Sequence, residues 1–233
     1  MPVEVTMQFL VQDLMLLALD NEKGHVVSSA AASLPYGLMG AVLMELVLQG
    51  KLDTERGKLV VINSSSTKDD FLDACLQEIL SAQRPRTAQF WVRRLTSKFR
   101  GFQTAVLSNL VELGVLKQQK QRILGIFPVQ RYPIASAIAK QTILNRVRMV
   151  VLHDAQLDAR TTALISLIKA CNLTHHLFVP EERREARRRI DAIAKGEQMG
   201  KAVSDTVISV QTAVNAGIIG AIVASTTSTS SNS

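Results

Sequence analysis

"PYGLMGAVLMELVLQ", residues 35–49, decides how the rest of the chain must be arranged. Pro35 falls where a first helical turn accepts it, and Gly50 follows where a helix stops. A helix that is apolar nearly all round belongs at the centre of a fold, not on its face. The remaining segments must then be amphipathic and surround it.

They read that way on both sides. Residues 4–19 carry apolar residues at helical spacing, and "DNEKGH" (20–25) is a turn. "KLDTERGKLVVI" (51–62) predicts a small hairpin turning at Glu55–Gly57. In 64–82, Thr67 stands as N-cap with Asp70 three positions on. "TAQFWVRRLTSKF" (87–99) is a helix with Arg93, Arg94 and Lys98 on a basic face and Phe90, Trp91 and Leu95 free to pack. "GFQTAVLSNLVELGVL" (101–116) ends its helix at Gly114. A long helix over 136–154 puts Lys140, Arg146 and Arg148 on its polar side, and Asp158 caps the apolar helix of 157–173. Residues 180–197 mix charge signs and read as a solvated helix. Residues 202–224 are apolar but interrupted by Asp205, Gln211 and Asn215, which suits a buried helix better than a membrane span of about 20 residues. "STTSTSSNS" (225–233) reads as a disordered tail. The expected fold is mostly α, a single domain over 1–224. Its apolar central helix is surrounded by amphipathic helices, with one or two short β-hairpins.

Composition agrees. Of 233 residues 47% are hydrophobic but only 4% aromatic, so Leu, Val, Ile and Ala must build the core, which favours helices. Cys75 and Cys171 lie inside apolar helical patterns without metal-ligand spacing, as buried thiols of a reducing compartment do. No basic region precedes the first apolar run, so no signal peptide is expected. His175 and His176 are adjacent and would face different sides of a helix. There is no Gly-rich phosphate loop, no His-Glu-x-x-His and no nucleophile elbow. The expectation is a non-enzyme with no catalytic residue, cofactor or metal.

Charge is segregated. The chain carries +7, yet between Ile79 and His153 thirteen Lys/Arg face one acid, Glu112. Such a third suggests an anionic partner, a phospholipid surface or nucleic acid. Its expected basic surface is Arg93, Arg94, Lys98, Lys117, Lys120, Arg122, Lys140, Arg146 and Arg148. Inside it lies "ILGIFPVQRYPIA" (123–135), whose glycine and prolines exclude a helix interior. The local reading is a strand, a turn around Val129–Tyr132 and a return. That puts Phe127, Pro128, Val129, Arg131, Tyr132, Pro133 and Ile134 on a hairpin that is buried in the fold, pressed into a partner or pushed into a membrane.

Taken together, "GLMGAVLMELVLQGKL" (37–52), "NLVELGVL" (109–116) followed by the hairpin, and "LDARTTALISLIKACNL" (157–173) make a chain that resembles the Golgi phosphoprotein 3 family over about residues 8 to 224. The resemblance implies a single, mostly helical domain. It also implies a cytoplasmic peripheral adaptor that reads phosphatidylinositol 4-phosphate and contacts membrane-protein tails, on the Golgi cytosolic face in a eukaryote. Its hairpin would enter a bilayer or mediate self-association. The headgroup pocket implied by the family falls on Ala30, Met39, Gln156 and Ala159, where the family carries a tryptophan and three arginines; neighbouring Arg160 keeps a charge. Losing such donors costs several kcal/mol at about 1.5–3 kcal/mol per charge-assisted contact. The expectation is therefore attachment by general electrostatics plus the hairpin, with weak phosphoinositide selectivity, in a divergent or prokaryotic-type member.

Two other readings fit the same residues. Helix, "Leu-Gly-Val-Leu" and basic hairpin could form a winged helix, with Lys117, Lys120, Arg122 and Arg131 on phosphates. Its apolar tip and a preceding helix offering only Gln103, Ser108 and Asn109 to base edges count against nucleic acid. Alternatively, the hairpin is a homo-oligomer contact.

Overall fold

Every residue of α2 (Leu34–Leu48) from Gly37 to Val47 is buried. The computed structural model describes residues 9–123, 127–195, 212 and 214–220. Around α2 pack α1 (Leu10–Ala18), α3 (Asp70–Leu80), α4 (Ala88–Lys98), α5 (Phe102–Glu112) and α7 (Ala159–Ala170). An outer layer adds α6 (Ala137–His153), the short α8 (Thr174–Leu177) and α9 (Arg183–Ala194). Two separate two-stranded antiparallel sheets complete the described residues: β1 (Leu52–Glu55) with β2 (Lys58–Val61), and β3 (Gln119–Ile123) with β4 (Phe127–Arg131). The fold is the expected mostly helical one.

Glycines let α2 and α7 approach closely. A Cβ on Gly37 would lie 2.2 Å from Cys171 Sγ, and one on Gly40 3.3 Å from Leu167 and 2.7 Å from Val214. At the other end Glu45 meets Arg160. The two helices are thus antiparallel, with the start of α7 beside the end of α2. Residues 214–220 are helical, and Val214 and Ile218 are buried against this seam. The rest of the apolar stretch expected at 202–224, the expected start of α1 before Phe9, and the tail 225–233 lie outside the described residues.

Local rules set the boundaries. Pro35 occupies the first turn of α2, and Gly50 follows it at φ +65°. The β1–β2 turn holds Arg56 and Gly57 at φ 49° and 73°, the paired positive values of a tight hairpin turn. Thr87 caps α4 and Asp158 caps α7. The expected cap of α3 is corrected. Asp69, not Thr67, accepts from Leu72 N, at 2.8 Å. Thr67 instead binds the Asp73 carboxylate through its amide and hydroxyl, both at 2.7 Å.

Candidate functional site

Two buried carboxylates anchor the end of the helix pair. Glu45, 1% exposed, accepts from Arg160 Nη1 and Nη2 at 2.8 and 2.7 Å and from the Leu10 amide at 3.1 Å. The bidentate fork raises the Arg160 pKa. Asp13, 2% exposed, accepts from Arg146 Nη2 at 2.5 Å. Burial raises the Asp13 pKa, and Arg146 acts against it. Four helices, α1, α2, α6 and α7, are tied together here, and Arg160 is engaged inside the fold.

The second hairpin differs from its expected form. Ile123 pairs with Phe127, so the turn falls between them and not at Val129–Tyr132. Pro128 is tolerated because β4 pairs on one side only. Val129 and Arg131 are mid- and end-strand positions and half-buried. Tyr132, Pro133 and Ile134 are not at the tip at all. Tyr132 is 7% exposed and its amide donates to Gly24 O at 2.7 Å. Ile134 packs on the core, bridged to Leu116. Gly24, at φ +58°, lies so close beneath that a Cβ would meet Pro133 N at 2.2 Å. The base is therefore latched to the 20–25 turn. The backbones of Phe127 and Pro128 flank the turn; their side chains, and that of Arg122, lie outside the described residues.

The structure also sorts the expected basic surface. Lys140 is not on it. Its side chain is buried at 6% exposure, Nζ donates to Leu19 O at 2.6 Å, and burial lowers its pKa to about 8. Arg146 is paired with Asp13, and Arg148 with Glu182 at 2.5 Å. On α4, Arg94 reaches Glu78 Oε1 at 3.0 Å, and Lys98 binds the same carboxylate. The cations exposed without a carboxylate partner among the described residues include Arg93, Lys117 and Lys120, and also Arg84 and Arg100. Arg86 lies over the Phe90 ring, 5.1 Å from its centroid. Phe90, expected to pack, is 40% exposed, whereas Trp91 and Leu95 are buried. Arg84, Arg86 and Arg100 were visible only as members of the basic third, with no motif to single them out.

A cleft of about 1150 Å³ lies between the start of α2, α4 and the start of α5. Its walls include Tyr36, Met39, Phe90, Arg93, Arg94 and Arg100. No helix among the described residues is long and apolar enough to cross a membrane.

A family model described as Golgi phosphoprotein 3 (GPP34) matches residues 10–210. The chain belongs to the Golgi phosphoprotein 3 family. Among curated relatives, the vacuolar protein sorting-associated protein 74 of Eremothecium gossypii is 23% identical over 164 residues, 61% of this chain and 49% of that protein. The chain thus spans about half the length of the relative it matches.

In Golgi phosphoprotein 3 terms, the resemblance-derived pocket positions are spread along the α2–α7 pair. Ala30, in the 3₁₀ turn Ser28–Ala30, is buried, as is Met39. Gln156 is exposed before α7, and Ala159 is half-buried at its start. With Gly37 beside Cys171 and Glu45 beside Arg160, Met39 stands level with about Ile168. That leaves it roughly 14 Å along the axis from Ala159 at 1.5 Å rise per residue. Met39 faces the arginine-walled cleft, while Arg160 is held by Glu45.

Proposed function

We propose that this Golgi phosphoprotein 3 family chain is a non-enzymatic peripheral adaptor that rests on anionic phospholipid and holds membrane-protein tails. One observation carries the reading. Arg146, Arg148, Arg160, Lys169, Arg188 and Arg189 are spent on carboxylates, while within the basic third Arg84, Arg93, Arg100, Lys117 and Lys120 stand in solvent without one among the described residues. Unpaired cations near an anionic surface contribute about 1 kcal/mol each and are screened by salt. The apolar residues flanking the hairpin turn, Phe127 foremost, supply the second, salt-insensitive contact. The relative's name speaks of protein sorting, which fits an adaptor on the cytosolic face of a Golgi-type membrane. Selectivity for phosphatidylinositol 4-phosphate through Ala30, Met39, Gln156 and Ala159 is weak in this reading, because none of these side chains carries a charge.

Vesicle co-sedimentation tests it, with neutral, phosphatidylserine and phosphatidylinositol 4-phosphate vesicles at matched charge and duplex DNA as competitor. Binding to both anionic vesicles, weakened by Lys117→Glu with Lys120→Glu and by Phe127→Asp, is the expected result. Displacement by DNA would replace it with the winged-helix reading. Indifference to Phe127→Asp together with a stable dimer by light scattering would move the hairpin to an oligomer contact.

A further inference from the structure

We infer that a second pocket, at the junction of α3 and α4, binds an acidic peptide segment in which a carboxylate side chain adjoins an aromatic one. The inference rests on the adaptor reading above for the source of the peptide, a membrane-protein tail, and can be tested apart from it. The pocket measures about 470 Å³, and its wall includes Ser81, Gln83, Arg84, Arg86, Phe90 and Trp91. Its charge is unbalanced. Glu78, the one carboxylate among the described residues of the wall, is already held by Arg94, through Nε and Nη2 at 3.1 and 3.0 Å, and by Lys98. Arg84 is exposed and has no hydrogen-bond or carboxylate partner among the described residues. Arg86 is half-buried, and the Leu59 amide donates to its carbonyl at 2.8 Å, which fixes its backbone. Its guanidinium lies over the Phe90 ring, 5.1 Å from the centroid, and not on a carboxylate.

A second observation belongs to the same pocket. Trp91 is 3% exposed, and its Nε1–H has no acceptor. A buried donor without a partner calls for a group that supplies one. Phe90 stands edge-to-face on that indole, 5.2 Å between ring centroids, and is itself 40% exposed, so a turn of its ring admits an acceptor. A carboxylate matches this set of donors. Its paired oxygens take a guanidinium fork, and a remaining lone pair takes the indole N–H. Phosphate suits the wall less well, because Glu78 repels a dianion about twice as strongly as a monoanion at the same distance. Arg86, stacked on Phe90 by one face, offers the other to an aromatic neighbour of the acid. A volume of about 470 Å³ is that of a small-ligand site and takes one or two side chains of an extended segment, not a folded surface.

Fluorescence anisotropy at physiological salt tests the assignment, with the full chain and a labelled peptide Gly-Ser-Glu-Phe-Glu-Ser-Gly. The expected affinity falls about tenfold when both Glu of the peptide become Gln, and severalfold when its Phe becomes Ala. Arg84→Ala and Arg86→Ala each weaken the peptide about tenfold. Trp91→Phe, which removes the N–H and keeps an aromatic ring, weakens it severalfold. Lys23→Ala with Arg184→Ala, two exposed cations elsewhere on the surface, leaves it unchanged. A circular dichroism melt confirms that each variant folds; if Trp91→Phe does not, the two arginine variants and the peptide series decide. Equal affinity for the Gln peptide, or equal loss from the Lys23 and Arg184 variant, overturns the site. Tighter binding with phosphoserine in place of Glu overturns the carboxylate. Competition by glutarate at the peptide's own concentration overturns the peptide and makes the occupant a small dicarboxylate. If anionic vesicles bind and the peptide does not, the pocket proposal fails and the membrane reading stands. If the peptide binds and the vesicles do not, the pocket stands and the membrane reading falls.

Discussion

Removing the Glu45 carboxylate takes from Arg160 and from the Leu10 amide the acceptor they share. Breaking a buried pair on one side costs about 3–5 kcal/mol, because a desolvated charge loses its counter-charge. Glu45→Gln should lower the urea-unfolding free energy by about 3 kcal/mol, and Glu45→Met with Arg160→Met by less than Glu45→Gln alone. A larger loss in the double variant would show that the pair itself stabilises the fold. Lys140 gives a prediction in pH. Burial brings its pKa from 10.5 to about 8, so above pH 8 the folded protein has released a proton that the unfolded chain still holds. Stability contributed by this group therefore rises with pH through that window. Subtracting Lys140→Met removes the thiols, whose raised pKa values of about 12 act in the opposite direction. The difference between wild type and variant should climb above pH 8; a constant difference would place the amine in water. Neither partnership was legible in the sequence. Leu19 lies 121 positions from Lys140, and Asp13 lies 133 from Arg146. Helical periodicity says which side of a helix is polar, but not which distant acid or carbonyl waits there.

Among the elements, α2 and the first hairpin were read correctly because local chemistry alone specifies them: uniform apolarity in one, a turn at Arg56–Gly57 in the other. The second hairpin departs from its expected turn at Val129–Tyr132, because Val129 and Arg131 pair within β4. On a two-stranded ribbon with one open edge a proline is tolerated, so Pro128 sits in β4 opposite Arg122 and Phe127 opposite Ile123. What holds this hairpin in place is Gly24, and that contact yields its own prediction. Gly24→Ala adds a Cβ 2.2–2.6 Å from the Tyr132–Pro133 backbone at a residue with φ +58°. The left-handed conformation alone costs about 1–2 kcal/mol for a side-chain-bearing residue. The melt should fall accordingly, and the Tyr132 amide should lose hydrogen-exchange protection ahead of the core. Unchanged protection of that amide would mean that the latch is dispensable. In the candidate site, Arg93 and Arg94 were legible from their helix; the cleft was not. Its walls come from 35–39, 87–97 and 99–104, segments that only the packing of α4 against α2 brings together.

At the scale of the molecule, the basic third between Ile79 and His153 is what points to an anionic partner, and the pairing of Arg146 with Asp13 and of Arg148 with Glu182 narrows which of its cations can reach one. Vesicle binding should accordingly fall as salt rises from low to physiological strength, where the Debye length shrinks to about 8 Å. Binding that ignores salt would leave the hairpin turn as the whole attachment. The enclosure of α2 also carries a consequence in time. Its contact with α7 joins residues 115 positions apart, so α2 leaves the ribosome long before the helix that covers it exists. At about 5–20 residues per second, the wait is on the order of ten seconds. Throughout that wait a helix with no polar face has only α1 and α3–α5 to shelter it. A chain stopped at residue 155 should be sticky and protease-sensitive, and a nascent-chain holdase should bind it until α7 emerges.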